Sequence, residues 1–190
     1  METAILTGIG LAAPAGLNAY IPLLILALAD RATTLVTLNA PYDALSSNVG
    51  IAILVVLLTI EVAVDKVPGL DHANDILQSF VRPASGAVVA LASTSGIVSV
   101  SPAVMVLLGL VMAGSVNAVK VTTRPMVTVG TAGIFNPLVS VVEDMIAVLA
   151  SLTAIFLPAL VVVFLVIFAI SSILLLRRFR AARGARTTPI

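Results

Sequence analysis

The sequence predicts an all-α, polytopic transmembrane helix bundle of about six spans. Three observations lead there. Of 190 residues, 60% are hydrophobic, 10% are charged and 4% are aromatic, and mean hydropathy is +1.20. A soluble domain is about half apolar and about a quarter charged, so composition excludes an ordinary soluble domain and a disordered chain. The apolar residues fall in runs near the roughly 20 residues that a helix needs to cross a bilayer core. Segments rich in Pro, Gly, Asn and Asp separate the runs and punctuate the helices.

Residues 4–29 form the first run. Met1-Glu2-Thr3 gives it no basic leader, so it reads as a retained span and not a cleaved signal. Pro14, Gly16, Asn18 and Pro22 interrupt it and predict a kink or local unwinding. Residues 30–47 are a polar loop marked by Asn39, Pro41, Tyr42 and Asp43. Span two covers 48–67, with Glu61 and Asp65 inside it, and stops at Val67-Pro68-Gly69-Leu70. Asp71 is placed to cap a short helix ending near Phe80. There Ile76, Leu77 and Phe80 oppose Asn74, Asp75 and Gln78, the pattern of an interfacial amphipathic helix. Span three opens at Arg82-Pro83 and fades through 93–101; span four covers 102–121. Residues 125–150 read as one span broken at 133–137, the alternative being a re-entrant piece before a span starting at Pro137. Span six covers 153–176, which makes 1–176 one transmembrane domain and 177–190 a basic cytoplasmic tail.

Orientation follows from lysine and arginine placement. With six spans, Lys66, Arg82, Lys120, Arg124 and the tail arginines 177, 178, 180, 183 and 186 share one side, and Arg31 stands alone on the other. Both termini are therefore expected in the cytoplasm, in a bacterial inner membrane. Two halves, 1–100 and 101–176, show short likenesses. Ala15-Gly16-Leu17-Asn18-Ala19 is similar to Ala113-Gly114-Ser115-Val116-Asn117-Ala118, and the segment with Glu61 and Asp65 to the one with Glu143 and Asp144. Halves of three spans insert in opposite senses, the inverted-repeat plan of many transporters. The small residues of packed membrane helices give the same likeness, so both origins stay open.

Polar residues inside apolar spans carry the functional signal, because a charge at the bilayer centre costs about 2.5–3.5 kcal/mol even on insertion scales. Glu61 and Asp65 share a face at i, i+4. Asn136, Ser140 and Asp144 form a stripe with Glu143 beside it, and Gly109, Ala113, Asn117, Lys120 and Arg124 form another. If the stripes converge, they line a polar cavity with carboxylates opposite Lys120 and Arg124. The expected ion- or substrate-binding set is Asp65, Glu143, Asp144, Lys120, Arg124, Asn18, Asn117, Asn136 and Ser140, with Glu61, Lys66, Asp71 and Arg82 in second rank. Against this, buried ion pairs often only fix packing, the basic residues serve as topology anchors, and asparagines act as interhelical glue. Asp144 continues the stripe and takes the inward role, with Glu143 flanking.

The chain has no cysteine and one histidine, His72, so a zinc site of the usual kind is not expected. No HExxH, P-loop or nucleophile-elbow motif occurs. No cofactor is expected. The expected partners are the lipid bilayer, a second copy of the chain and an unidentified small molecule or ion, with no nucleic acid. Val64-Asp65-Lys66-Val67-Pro68-Gly69-Leu70-Asp71, Arg82-Pro83, Asn136-Pro137 with Ser140 and Glu143-Asp144, and Gly16-Leu17-Asn18-Ala19-Tyr20-Ile21-Pro22 together resemble a bacterial family of small integral membrane proteins, domain of unknown function 4126. The resemblance covers nearly the whole chain except the basic tail and implies no activity. The expected function is a small transporter, proton- or cation-coupled. The alternatives are a membrane enzyme acting on a lipid or isoprenoid phosphate, and a non-transporting scaffold.

Overall fold

The computed structural model describes residues 2–65, 70–131, 133–163 and 166–167, without the side chains of 70–73 and 126. Its secondary structure is helical: α1 (Glu2–Ala15), α2 (Tyr20–Ala32), a 3-10 turn (Tyr42–Ser46), α3 (Asn48–Val64), α4 (Leu70–Ser93), α5 (Pro102–Thr131) and α6 (Asn136–Phe156). After a break at Leu157, residues 158–163 are helical again. Three helices are long and apolar enough to cross a membrane, within 74–93, 102–131 and 136–156, and α3 is a shorter apolar helix. Polarity runs inside-out. Val49, Ile53, Val56 and Ile60 make an exposed apolar stripe on α3, while Glu61, Arg82, Asn117 and Lys120 are buried. Apolar residues outside and ionised ones inside describe a polytopic membrane bundle.

The first run breaks where its prolines and glycine predict, but it does not continue in the same direction. Helices α1 and α2 form an antiparallel hairpin. Thr3 and Thr7, near the start of α1, line one cavity with Leu35, Thr37 and Asn39, just past the end of α2. Arg31 near the end of α2 bonds Asn48 at the start of α3, and Asn39 bonds Ser95 beyond the end of α4. The hairpin therefore enters and leaves at one end of the bundle. At 14 and 13 residues and 1.5 Å per residue, each arm is about 20 Å long, short of the roughly 30 Å bilayer core. Its tip, residues 16–19, packs against the middles of α4 and α5, where Ser85 and Asn117 lie.

Three further expectations are corrected. The interfacial helix and span three are one helix, α4, with Pro83 inside it. Its polar face, Asp75, Gln78 and Arg82, points into the protein, and Ile76, Leu77 and Phe80 are exposed. Span four does not end at 121: α5 runs 30 residues through Arg124-Pro125, so residues 125–131 belong to it and to neither reading of 125–150. Gly133 closes α5 with φ of 78°, a left-handed conformation open to glycine, and its N–H bonds the Thr128 carbonyl. Helix α6 then runs without a break past 150–153 to Phe156. The stop at 67–69, residues 164–165 and 168–176 of span six, and the basic tail lie outside the described residues.

Small residues set how closely these helices approach. A Cβ on Gly86 would collide with Ala113 and the Gly109 carbonyl, and one on Gly109 with the Gly86 carbonyl, so α4 and α5 meet backbone to backbone. Gly16 likewise seats the hairpin tip on the Ala113 carbonyl and Val116. Leu11, Leu23, Leu26, Leu54, Val89 and Ile155 form the apolar core around the arms, between the tip and the open end.

Candidate functional site

Breaking a helix at mid-depth exposes backbone groups that lipid cannot satisfy, so the protein must. Here side chains do it. Asn18 folds its Oδ1 back to accept from the N–H groups of Tyr20 and Ile21, at 3.1 Å each, and so caps α2. The Ala19 N–H donates to Glu61 Oε2 at 3.2 Å. The Ala19 carbonyl accepts from the Ser85 hydroxyl. The Leu17 carbonyl accepts from Lys120 Nζ at 2.6 Å. The tip is thus clamped by α3, α4 and α5 at once.

The same side chains belong to one buried ionic network below the tip. Arg82, fully buried, forks to Glu61 at 3.2 Å and Asp75 at 3.1 Å, with Asp65 at 3.8 Å. It also donates to Asn117 Oδ1 at 3.0 Å. Lys120 meets Asp65 at 3.5 Å and Glu143 at 3.1 Å. Arg124 meets Asp65 at 3.2 Å, Asp75 at 3.1 Å and Glu143 at 2.7 Å. Asn74 donates to Asp65 at 2.7 Å. Each carboxylate and cation in this set has a short charge-assisted contact, the condition for holding charge away from water.

The expected stripes do converge: Asp65, Glu143, Lys120, Arg124 and Asn117 are all in the network, and Glu61 and Arg82, placed in second rank, are at its centre. They meet as direct ion pairs, so Lys120 and Arg124 are already engaged by carboxylates. The roles of the adjacent acids on α6 differ from the expected ones. Glu143 reaches the cations, while Asp144 accepts from Asn18 Nδ2 at 3.0 Å at the tip and borders a shallow hollow with Val141, Met145 and Val148. Ser140 is fully buried and its hydroxyl has no hydrogen-bond partner. Asn136 pairs with Thr128 at 3.0 Å, a turn away from the ionic contacts. Lys66 and the side chain of Asp71 lie outside the described residues.

Sequence reasoning missed Asp75, Gln78 and Ser85. Asp75, Gln78, Arg82 and Ser85 follow i, i+3, i+7, i+10, one continuous helical face. Treating Pro83 as a helix start hid that face; Pro83 sits inside α4 and forfeits only the bond to the Ser79 carbonyl. Among the described residues, no group of three or more Asp, Glu, His or Cys is arranged to hold a metal.

No curated protein and no solved structure shows a significant match to this chain. One family model does match, over residues 5–178, which include the hairpin, the ionic network and its carriers. The chain belongs to the family described as Domain of unknown function (DUF4126).

Proposed function

We propose that this protein is a small membrane transporter whose site is the ionic network under the tip of the α1–α2 hairpin. One observation carries the reading: a helix break at mid-depth whose freed backbone is held by Glu61, Ser85, Lys120 and Asn18. Broken helices meeting at the midplane, with ionisable residues at the break, are how secondary transporters bind substrate and coupling ion. The described network and Asp144 set five carboxylates, Glu61, Asp65, Asp75, Glu143 and Asp144, against three cations, Arg82, Lys120 and Arg124. Carboxylates gathered at a helix break suit a proton or cation as the coupling ion.

The direct pairing of Arg82, Lys120 and Arg124 with carboxylates also favours a second reading, a scaffold subunit in which the network only fixes packing. Current recordings on proteoliposomes fused to a solid support separate the two. Pulses of amino acids, organic acids, sugars and phosphates under an imposed pH or sodium gradient are expected to give a substrate-dependent charge movement. The Asp144→Asn variant should insert normally and give none. Absence of any current above empty liposomes across the panel would leave the scaffold.

The basic residues further support an orientation. Arg82, Lys120 and Arg124 lie beyond the hairpin tip, towards the end of the bundle where α3 passes into α4 and α5 into α6. We infer that this end faces the cytoplasm. The hairpin then starts and ends on the outer side, with Arg31, which puts Glu2 outside and departs from the expectation of a cytoplasmic N-terminus.

A further inference from the structure

Ser140 carries an observation that the ion pairs leave unexplained. Its side chain is fully buried, and its hydroxyl has no partner, a costly state away from water. Successive residues of a helix turn by about 100°, so Ser140 points between Glu143, about 60° to one side, and Asp144, about 40° to the other. The buried face of α6, Ser140, Ala147, Ser151 and Ala154, is the one turned to the hairpin. Thr7 bonds the Ala154 carbonyl and Asn18 bonds Asp144, so α6 runs antiparallel to α1. Ser140 therefore lies one turn, about 6 Å, beyond the level of the tip. At that tip Pro22 has no N–H, which leaves the Asn18 carbonyl without its helical donor.

We propose that Ser140, Glu143 and Asp144 form a site for a small monovalent cation of sodium size. This deepens the transport reading by naming its coupling ion. The chemistry fits a hard, singly charged ion: a hydroxyl oxygen and carboxylate oxygens, with a backbone carbonyl at the adjacent tip. Glu143 gives its Oε2 to both Lys120 and Arg124 and Asp144 is itself engaged by Asn18, so neither carboxylate brings a full charge to the site, which suits one positive charge better than two. An ion there would satisfy the Ser140 hydroxyl and tie α6 to the hairpin. Its departure would leave Asp144 and Asn18 to hold that contact.

Binding is tested on the purified full chain without flux. Thermal unfolding is measured in sodium chloride and in choline chloride at equal ionic strength, alongside equilibrium binding of radioactive sodium. Sodium is expected to raise the midpoint by roughly 3–6 °C at ten times its dissociation constant. Ser140→Ala should fold, because it removes an unpaired hydroxyl, and should lose at least tenfold in sodium affinity. Asp144→Asn should do the same, as a second check if Ser140→Ala folds poorly. Equal unfolding in sodium and choline with no bound isotope overturns the site. So does undiminished sodium binding in both variants. Stability that follows pH and ignores sodium overturns it too, while leaving a proton-coupled transporter standing. Bound sodium without any flux in the current recordings would instead sink the transport reading and keep the site.

Discussion

Arg82 is the residue on which the network turns. Its guanidinium reaches Glu61, Asp75 and Asn117 simultaneously, a forked geometry that a lysine ammonium cannot reproduce. Removing one member of a buried ion pair strands the others, at about 3–5 kcal/mol. Arg82→Met is therefore expected to fold poorly, read as lost monodisperse protein on size-exclusion chromatography in detergent. Arg82→Lys should recover only part of that loss. Adding Glu61→Gln to Arg82→Met should recover some, because it removes one of the stranded charges. A fully stable Arg82→Met would show that the network contributes nothing to the fold. The neighbours Glu143 and Asp144 should separate in the opposite sense to their shared chemistry. Glu143→Gln weakens contacts to two cations at 3.1 and 2.7 Å and should lower thermal stability. Asp144→Asn keeps the shape of the side chain and a hydrogen-bonding oxygen for Asn18, and should lose less thermal stability than Glu143→Gln. Matching losses in the two variants would contradict the division between them.

At the scale of elements, two glycines make opposite predictions. Gly16 sits where a Cβ would strike the Ala113 carbonyl and Val116, while Gly130, inside α5, has open space around it. Gly16→Ala must push the tip off α5 and disturb the Lys120–Leu17 bond, so it is expected to cost at least 2 kcal/mol in thermal unfolding. Gly130→Ala should be neutral or stabilising by up to about 0.5 kcal/mol, since alanine suits a helix better than glycine and Gly130 lies in the last turn of α5. Comparable behaviour of the two would mean the tip is not seated as described. These elements also show what the sequence makes readable. The apolar runs and the charged stripes on α3, α5 and α6 follow directly from periodicity, because burial of a charge in lipid restricts where it can sit. Two features were not legible. Proline at 14 and 22 marks a break in the run, but a kink and a reversal have the same local signature. Only contacts far along the chain, Arg31 with Asn48 and Asn39 with Ser95, settle the direction. The polar face of Asp75, Gln78 and Arg82 has the composition of a wet interfacial helix; that it points inward depends on Glu61 and Arg124 arriving from other helices.

For the whole molecule, the hairpin changes how the chain threads the membrane, and the orientation rests on that threading. A single first span would put Thr3 and Thr37 on opposite sides. The hairpin puts them at one end, where both line the same cavity of about 370 Å³. Arg82, Lys120 and Arg124 are buried in ion pairs, so they report on orientation less directly than loop cations do. Their position still leaves Arg31 as the one described basic residue at the opposite end. The test uses the absence of native cysteine: single cysteines at Thr3, Thr37 and Gly133 are exposed to an impermeant maleimide in intact cells, then after lysis. Thr3→Cys and Thr37→Cys are expected to label in intact cells, and Gly133→Cys only after lysis. Gly133 has φ of 78°, which strains a cysteine there, so Ile134→Cys in the same turn, where the side chain is exposed, serves as its control. Thr3 and Thr37 labelling on opposite sides would refute the hairpin itself. Both labelling only after lysis, with Ile134→Cys labelling in intact cells, would keep the hairpin and invert the protein, moving the ionic network towards the outer face. In the expected orientation the hairpin dips from outside to the level of Ser85 and Asn117. For the transporter proposed above, the hairpin tip would then be the barrier between the network and the outside.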